Sequence, residues 1–98
     1  MSVGAEANYI IIDNGKLYQE DVKQLPQLVK EDLEEQLKIL KRDPYDGTEP
    51  LRGRYKEYRK KRLVANHRLV SRVNINSHKI ILAEVKHRGA SYRQVKIR

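Results

Sequence analysis

Val29, Leu33, Leu37 and Leu40 recur at i, i+4, i+8 and i+11, one apolar stripe along a helix. No other feature of the chain constrains its fold as tightly, because such a helix must lay that stripe against a second layer. Lys30–Glu34 and Glu34–Lys38 pair along the exposed side at i, i+4. Asp43-Pro44 ends the helix, since a residue before proline is pushed out of the helical region. Pro26 separates it from a shorter helix expected over Tyr18 to Leu25, where Tyr18, Val22 and Leu25 lie at helical spacing. Earlier still, Tyr9-Ile10-Ile11-Ile12 is a β-branched run closed by Asp13-Asn14-Gly15, the pattern of a strand ending in a turn. Residues 1–8 read as a frayed start.

After the helix the period changes. Residues 44–54, PYDGTEPLRGR, hold two Pro and two Gly and are expected to form a connecting loop. Tyr55 to Val64, His67 to Ile75 and Lys79 to His87 then read as three strands, separated by turns at Ala65-Asn66 and Asn76-Ser77-His78. In the second, Leu69, Val73 and Ile75 partly alternate with Arg68, Arg72 and Asn74. Ile80, Leu82 and Val85 supply the apolar positions of the third. The expected fold class is α+β: one N-terminal strand and two helices packed on a mostly antiparallel sheet that ends in a C-terminal three-stranded meander. One face of the meander packs on the helices, and the other is expected to be free. With 98 residues the chain reads as a single domain over 1–98. A domain of that size buries only about 60–65% of its unfolded surface.

Charge is divided along the chain. Residues 1–50 carry six Lys/Arg against eleven Asp/Glu, whereas residues 51–98 carry fifteen against two, Glu57 and Glu84. Like charge opposes the compact state, so a surplus of this kind points to a polyanionic partner such as nucleic-acid phosphates. There is no cysteine, which excludes disulfides and thiolate-bound metals. No run approaches the roughly 18 apolar residues of a membrane span. Met1 to Ala7 lacks the pattern of a signal peptide, so the cytoplasm is the expected compartment.

Several chemistries are excluded by pattern. No GxxxxGK[ST] loop and no serine elbow is present, and His67, His78 and His87 lack metal-ligand spacing, so no cofactor or metal is expected. What remains is a cationic and proton-transferring set on the meander: Arg59, Lys60, Lys61, Arg62, His67, Arg68, Lys86, His87, Arg88 and Tyr92. Cleaving RNA by attack of its own 2′-hydroxyl needs a base, cations for the developing phosphorane charge, and an acid for the departing 5′-oxygen. Glu49 is a candidate base, and His87 or Tyr92 a candidate acid. Tyr92 is equally suited to stacking on a base or to capping the core. Arg68 sits among apolar neighbours, where it either points to the open face or pairs with an acid such as Glu84. Tyr55 and Tyr58 read as packing residues.

Leu51-Arg52-Gly53, Arg62-Leu63, His67-Arg68-Leu69-Val70, His87-Arg88 and Tyr92 together resemble the RelE/ParE superfamily of bacterial and archaeal toxins, most closely its RelE and YoeB branches. Glu49-Pro50-Leu51 and Lys61-Arg62-Leu63 followed by His67-Arg68-Leu69-Val70 are similar to the YoeB pattern. Arg88 and Tyr92 resemble the ending of RelE. Ser71 stands where these toxins commonly show Tyr. The resemblance implies a ribosome-dependent endoribonuclease that cleaves mRNA in the A site, contacts ribosomal RNA, and is silenced by a cognate antitoxin. It also implies Glu49 as base, Arg68 as phosphate clamp and His87 as acid, with Lys61 and Arg62 as supporting cations and Arg88 and Tyr92 as auxiliary groups. The alternatives are a ParE-like toxin that poisons gyrase and a catalytically silent RNA-binding module.

Overall fold

A computed structural model describes residues 8–13 and 15–89. The frayed start expected over residues 1–8 lies outside these except for Asn8, and Tyr92 lies outside them altogether. Strand β1 (Ile10–Asp13) leads into helix α1 (Lys16–Lys23), then α2 (Gln27–Arg42), β2 (Thr48–Pro50), β3 (Arg59–Leu63), β4 (His67–Asn74) and β5 (Lys79–His87). The five strands form one sheet in the order β1-β5-β4-β3-β2. β1 runs parallel to β5, and every other pair is antiparallel. The α+β class, the N-terminal strand, the two helices and the meander are therefore as the sequence predicts.

The helix stripe does what its spacing requires. Val29, Leu33 and Leu40 are buried and Leu37 partly so, packed with Leu63, Leu69, Ile80, Leu82 and Val85 of the sheet. Gly15 opens α1 at φ 87°, a left-handed conformation that side chains rarely adopt. β1 pairs with β5 only as far as Leu82, and past that point α1 docks on the strand instead. There Val85 N–H donates to Asp21 Oδ2 (3.4 Å) and Lys86 Nζ pairs with Asp21 Oδ1 (2.7 Å). An acidic side chain thus occupies a free stretch of sheet edge.

Three expectations need correction. The loop over 44–54 contains β2, a three-residue edge strand too short to show a period. Pro50 is tolerated there because an edge strand has one side that needs no ladder bond. The strand expected from Tyr55 begins only at Arg59. Gly53–Tyr55 is a turn of 3-10 helix, and Leu51 N–H reaches back to the Tyr58 carbonyl. The sheet face away from the helices is not wholly free either. Leu51, Val70 and Ala83 form a second small core there, flanked by Tyr55 and Tyr58, because the 51–58 loop folds over that face. Both tyrosines pack, as the sequence predicts.

Tyr18 is 6% exposed in the main core between the helices and the sheet. Burial, reinforced by the carboxylates of Asp13 and Asp21, raises its phenol well above the ordinary value of 10.0. A folded-state value raised above the unfolded one contributes stability that is whole below the unfolded value and lost as pH rises toward the folded one. Urea midpoints of the native protein should therefore fall as pH climbs past 10.0, and Tyr18→Phe should flatten that decline. An equally steep decline in Tyr18→Phe would rule out the phenol as its source. Among the described residues, no helix is long and apolar enough to cross a membrane.

Candidate active site

Three strands bring the cationic residues together. In the ladder Glu49 stands opposite Lys60, while Arg62 stands opposite Arg68, which stands opposite Lys86. Lys60 and Arg62 are two apart on β3 and so project to the same side, as do Arg68 and Val70 on β4. The β3–β4 connection is tight, with Ala65 and Asn66 both at positive φ (56° and 58°), a conformation suited to a sharply twisted hairpin. It brings Asn66 and His67 to the end of the two strands, beside Arg62 and Arg68.

The result is a cleft of about 560 Å³ lined by Glu49, Lys60, Arg62, His67, Arg68 and Arg88, with Gly47 and Asn66 completing the wall. One acidic residue, Glu49, therefore shares the cleft with four cationic residues. Six of the residues singled out in the sequence meet here. His67 Nδ1 lies 2.8 Å from the Ala65 carbonyl. A carbonyl only accepts, so at this contact Nδ1 is the donor, which leaves Nε2 as the other ring nitrogen.

Arg68 is 6% exposed, and its guanidinium is turned inward. Nη2 pairs with Glu84 Oε2 at 3.2 Å, and Nη1 donates to the carbonyls of His87 (3.2 Å) and Arg88 (2.8 Å). Of the two placements open to Arg68 in the sequence, pairing with Glu84 is the one realised, at the floor of the cleft.

Other expected site residues lie apart. Lys61 alternates to the opposite face of β3, is 7% exposed, and donates from Nζ to the Asp46 carbonyl (2.8 Å). Its ammonium lies 3.3 Å from where a side chain on Gly47 would begin, and Gly47 sits at φ 71°, so the turn and the lysine fit each other. Arg59 is a brace for β2: Nε donates to Thr48 Oγ1 (2.6 Å), and the guanidinium lies over the Tyr45 ring (4.9 Å). Lys86 is engaged with Asp21. His87 is exposed and does not line the cleft. Its ring stands edge-on to His67 with centroids 5.3 Å apart, and its Nδ1 accepts from the Gly89 amide (3.4 Å). Asn66 and Gly47 were not anticipated as wall residues. Their signal, a turn pair and a lone glycine in a loop, marks a bend without saying what the bend surrounds. Among the described residues, no group of three His, Asp or Glu side chains stands close enough to hold a metal ion.

No protein-family model and no curated protein matches the sequence. Solved structures do match. A chain of the toxin–antitoxin complex RelBE2 from Mycobacterium tuberculosis superposes with a TM-score of 0.73 at 22% identity, over 83% of this chain and 99% of that one. A double arginine-to-alanine variant of E. coli toxin RelE in the free state gives 0.73 at 22% identity, over 90% and 94%. A chain of the YoeB–YefM complex from Staphylococcus aureus gives 0.64 at 27% identity, over 80% and 94%. With two helices on a mixed five-stranded sheet and a cationic cleft at the β2–β3–β4 end, the chain has the RelE-like fold.

Proposed function

We propose that this chain is the toxin of a type II toxin–antitoxin pair, acting in the cytoplasm as a ribosome-dependent endoribonuclease that cuts mRNA in the A site and so stops translation. The observation that carries this reading is the cleft, in which the Glu49 carboxylate faces Lys60, Arg62 and Arg88 with His67 in the same wall. The chemistry is attack of an RNA 2′-hydroxyl on its own phosphorus, breaking the bond to the 5′-oxygen and leaving a cyclic phosphate. Glu49 takes the hydroxyl proton. Lys60, Arg62 and Arg88 hold the non-bridging oxygens as the phosphorane charge grows, with the buried Arg68 behind them. A histidine returns a proton to the departing 5′-oxygen. His67 is the histidine lining the cleft, with Nε2 as its working nitrogen, and His87, the acid implied by the resemblance, stands edge-on beside it.

The ribosome is the first expected partner, since it would supply the alignment that cleavage of a flexible strand needs. An antitoxin is the second expected partner. Neighbouring structures of this fold were solved as toxin–antitoxin complexes, and a cationic cleft suits an acidic or amphipathic neutralising segment.

Purified protein added to a translating extract should cut mRNA at codon-scale positions and leave naked RNA largely intact. Intact mRNA on translating ribosomes together with inhibition of DNA gyrase would overturn the reading in favour of a ParE-like toxin. RNA binding with neither effect would leave a silent binding module. Separate alanine variants assign the acid. His67→Ala should lower the cleavage rate by about 100-fold or more if it is the donor. A loss of that size confined to His87→Ala would move the role to His87.

A further inference from the structure

Glu84 is wholly buried at 0% exposure, yet it pairs with a residue that lines the cationic cleft. A carboxylate there is costly to desolvate, and it persists only when well paired. Its partner is Arg68, whose Nη2 lies 3.2 Å from Glu84 Oε2. The other end of the same guanidinium holds the carbonyls of His87, the last residue of β5, and of Arg88, which follows it (3.2 and 2.8 Å). The Arg88 amide is tied in turn to the Asn66 carbonyl at 2.6 Å, in the hairpin that carries His67. Glu84, Arg68, Arg88 and Asn66 thus form one continuous set of bonds across the floor of the cleft. Two consequences follow. The charge of Arg68 is largely balanced by Glu84, so it is a poor phosphate ligand. Its fork is also committed to backbone oxygens, which fixes where the Arg88 side chain enters the cleft.

We propose that Glu84 is a positioning residue acting through Arg68: the buried pair pins the His87-Arg88 end of β5 so that Arg88 stands in the cleft, and Arg68 serves as an anchor rather than as the phosphate clamp. The inference rests on the nuclease reading for its catalytic consequence and on geometry alone for its structural one.

Three readouts on the intact protein test it. Glu84→Gln keeps the shape of the side chain and removes its charge. It is expected to lower kcat about 10- to 100-fold per folded molecule, the cost of misplacing a group near the reacting atoms. It should also loosen the Arg88 amide in hydrogen exchange, with no gain in affinity for a short RNA. If Arg68 is instead a direct clamp, releasing it from Glu84 should tighten RNA binding, and that result would overturn the proposal. Arg68→Lys discriminates again. A lysine keeps the charge but cannot bridge a carboxylate and two carbonyls, so the anchor reading expects it to behave like Arg68→Ala, and near-native activity would overturn it. Should Glu84→Gln not fold, the apolar pair Glu84→Met with Arg68→Met is the substitute, since such swaps of buried ion pairs are often tolerated. It too should lose protection at Arg88. Retained protection at that amide in every variant would sink the anchor whether or not the protein cleaves RNA. Absent cleavage by the native protein, with protection lost in the variants, would instead count against the nuclease reading alone.

Discussion

Glu49→Gln is expected to reduce mRNA cleavage in a translating extract by about 10²- to 10⁴-fold, the usual contribution of a positioned general base. The fold should be unaffected. Glu49 is exposed in the middle of a three-residue edge strand, and its backbone pairing with Lys60 does not depend on the carboxylate. Removing a negative charge from a wall of cations should also favour phosphate binding, so RNA affinity is expected to hold or rise while kcat falls. That split is diagnostic of a base, because losing a binding residue weakens affinity and losing a structural residue lowers the melting temperature. A variant that keeps full cleavage would remove Glu49 from the chemistry and leave the cleft as a binding surface only.

The largest expected effect on stability lies on the other side of the sheet. Leu40 has no exposed surface and closes the apolar stripe of α2 against the sheet. Leu40→Ala removes that packing and leaves a cavity, at a cost of about 2–5 kcal/mol. Against the roughly 5–15 kcal/mol by which small domains are stable, this is a large share. Urea denaturation should show the midpoint fall with the slope unchanged. Leu28→Ala on the same helix is the control: Leu28 is 63% exposed, and the substitution should change stability by no more than about 0.5 kcal/mol. Equal losses in the two variants would mean that α2 does not pack by the face its stripe defines.

The elements that proved legible share a property: their signal repeats. The α2 stripe recurs over four positions, and β4 and β5 are long enough for their apolar residues to register. Each was placed to within two or three residues of its observed ends. β2 has three residues and no period. Tyr55 and Tyr58 are β-formers that a loop draws down onto Val70 and Ala83, so their local preference was overridden by packing on the far sheet face. The same distinction runs through the cleft. Lys60, Lys61 and Arg62 are consecutive and chemically alike, and only alternation on a strand sends Lys61 to the Asp46 carbonyl while its neighbours face the cleft.

Residue order by itself determined that a two-helix layer would cover a sheet and that the cationic surplus would fall on the meander, because helical period, strand composition and charge are properties of short stretches. Register and burial were decided by the tertiary structure. Glu49 meets Lys60 because an edge strand pairs there. Lys86 turns to Asp21 because β1 ends early and α1 takes its place. Arg68 becomes the centre of a buried ion pair because Glu84, sixteen residues on, is brought to within 3.2 Å of it. A charge far along the chain has no local signature, and only the packed fold decides which charges are bound to one another and which are left facing the cleft.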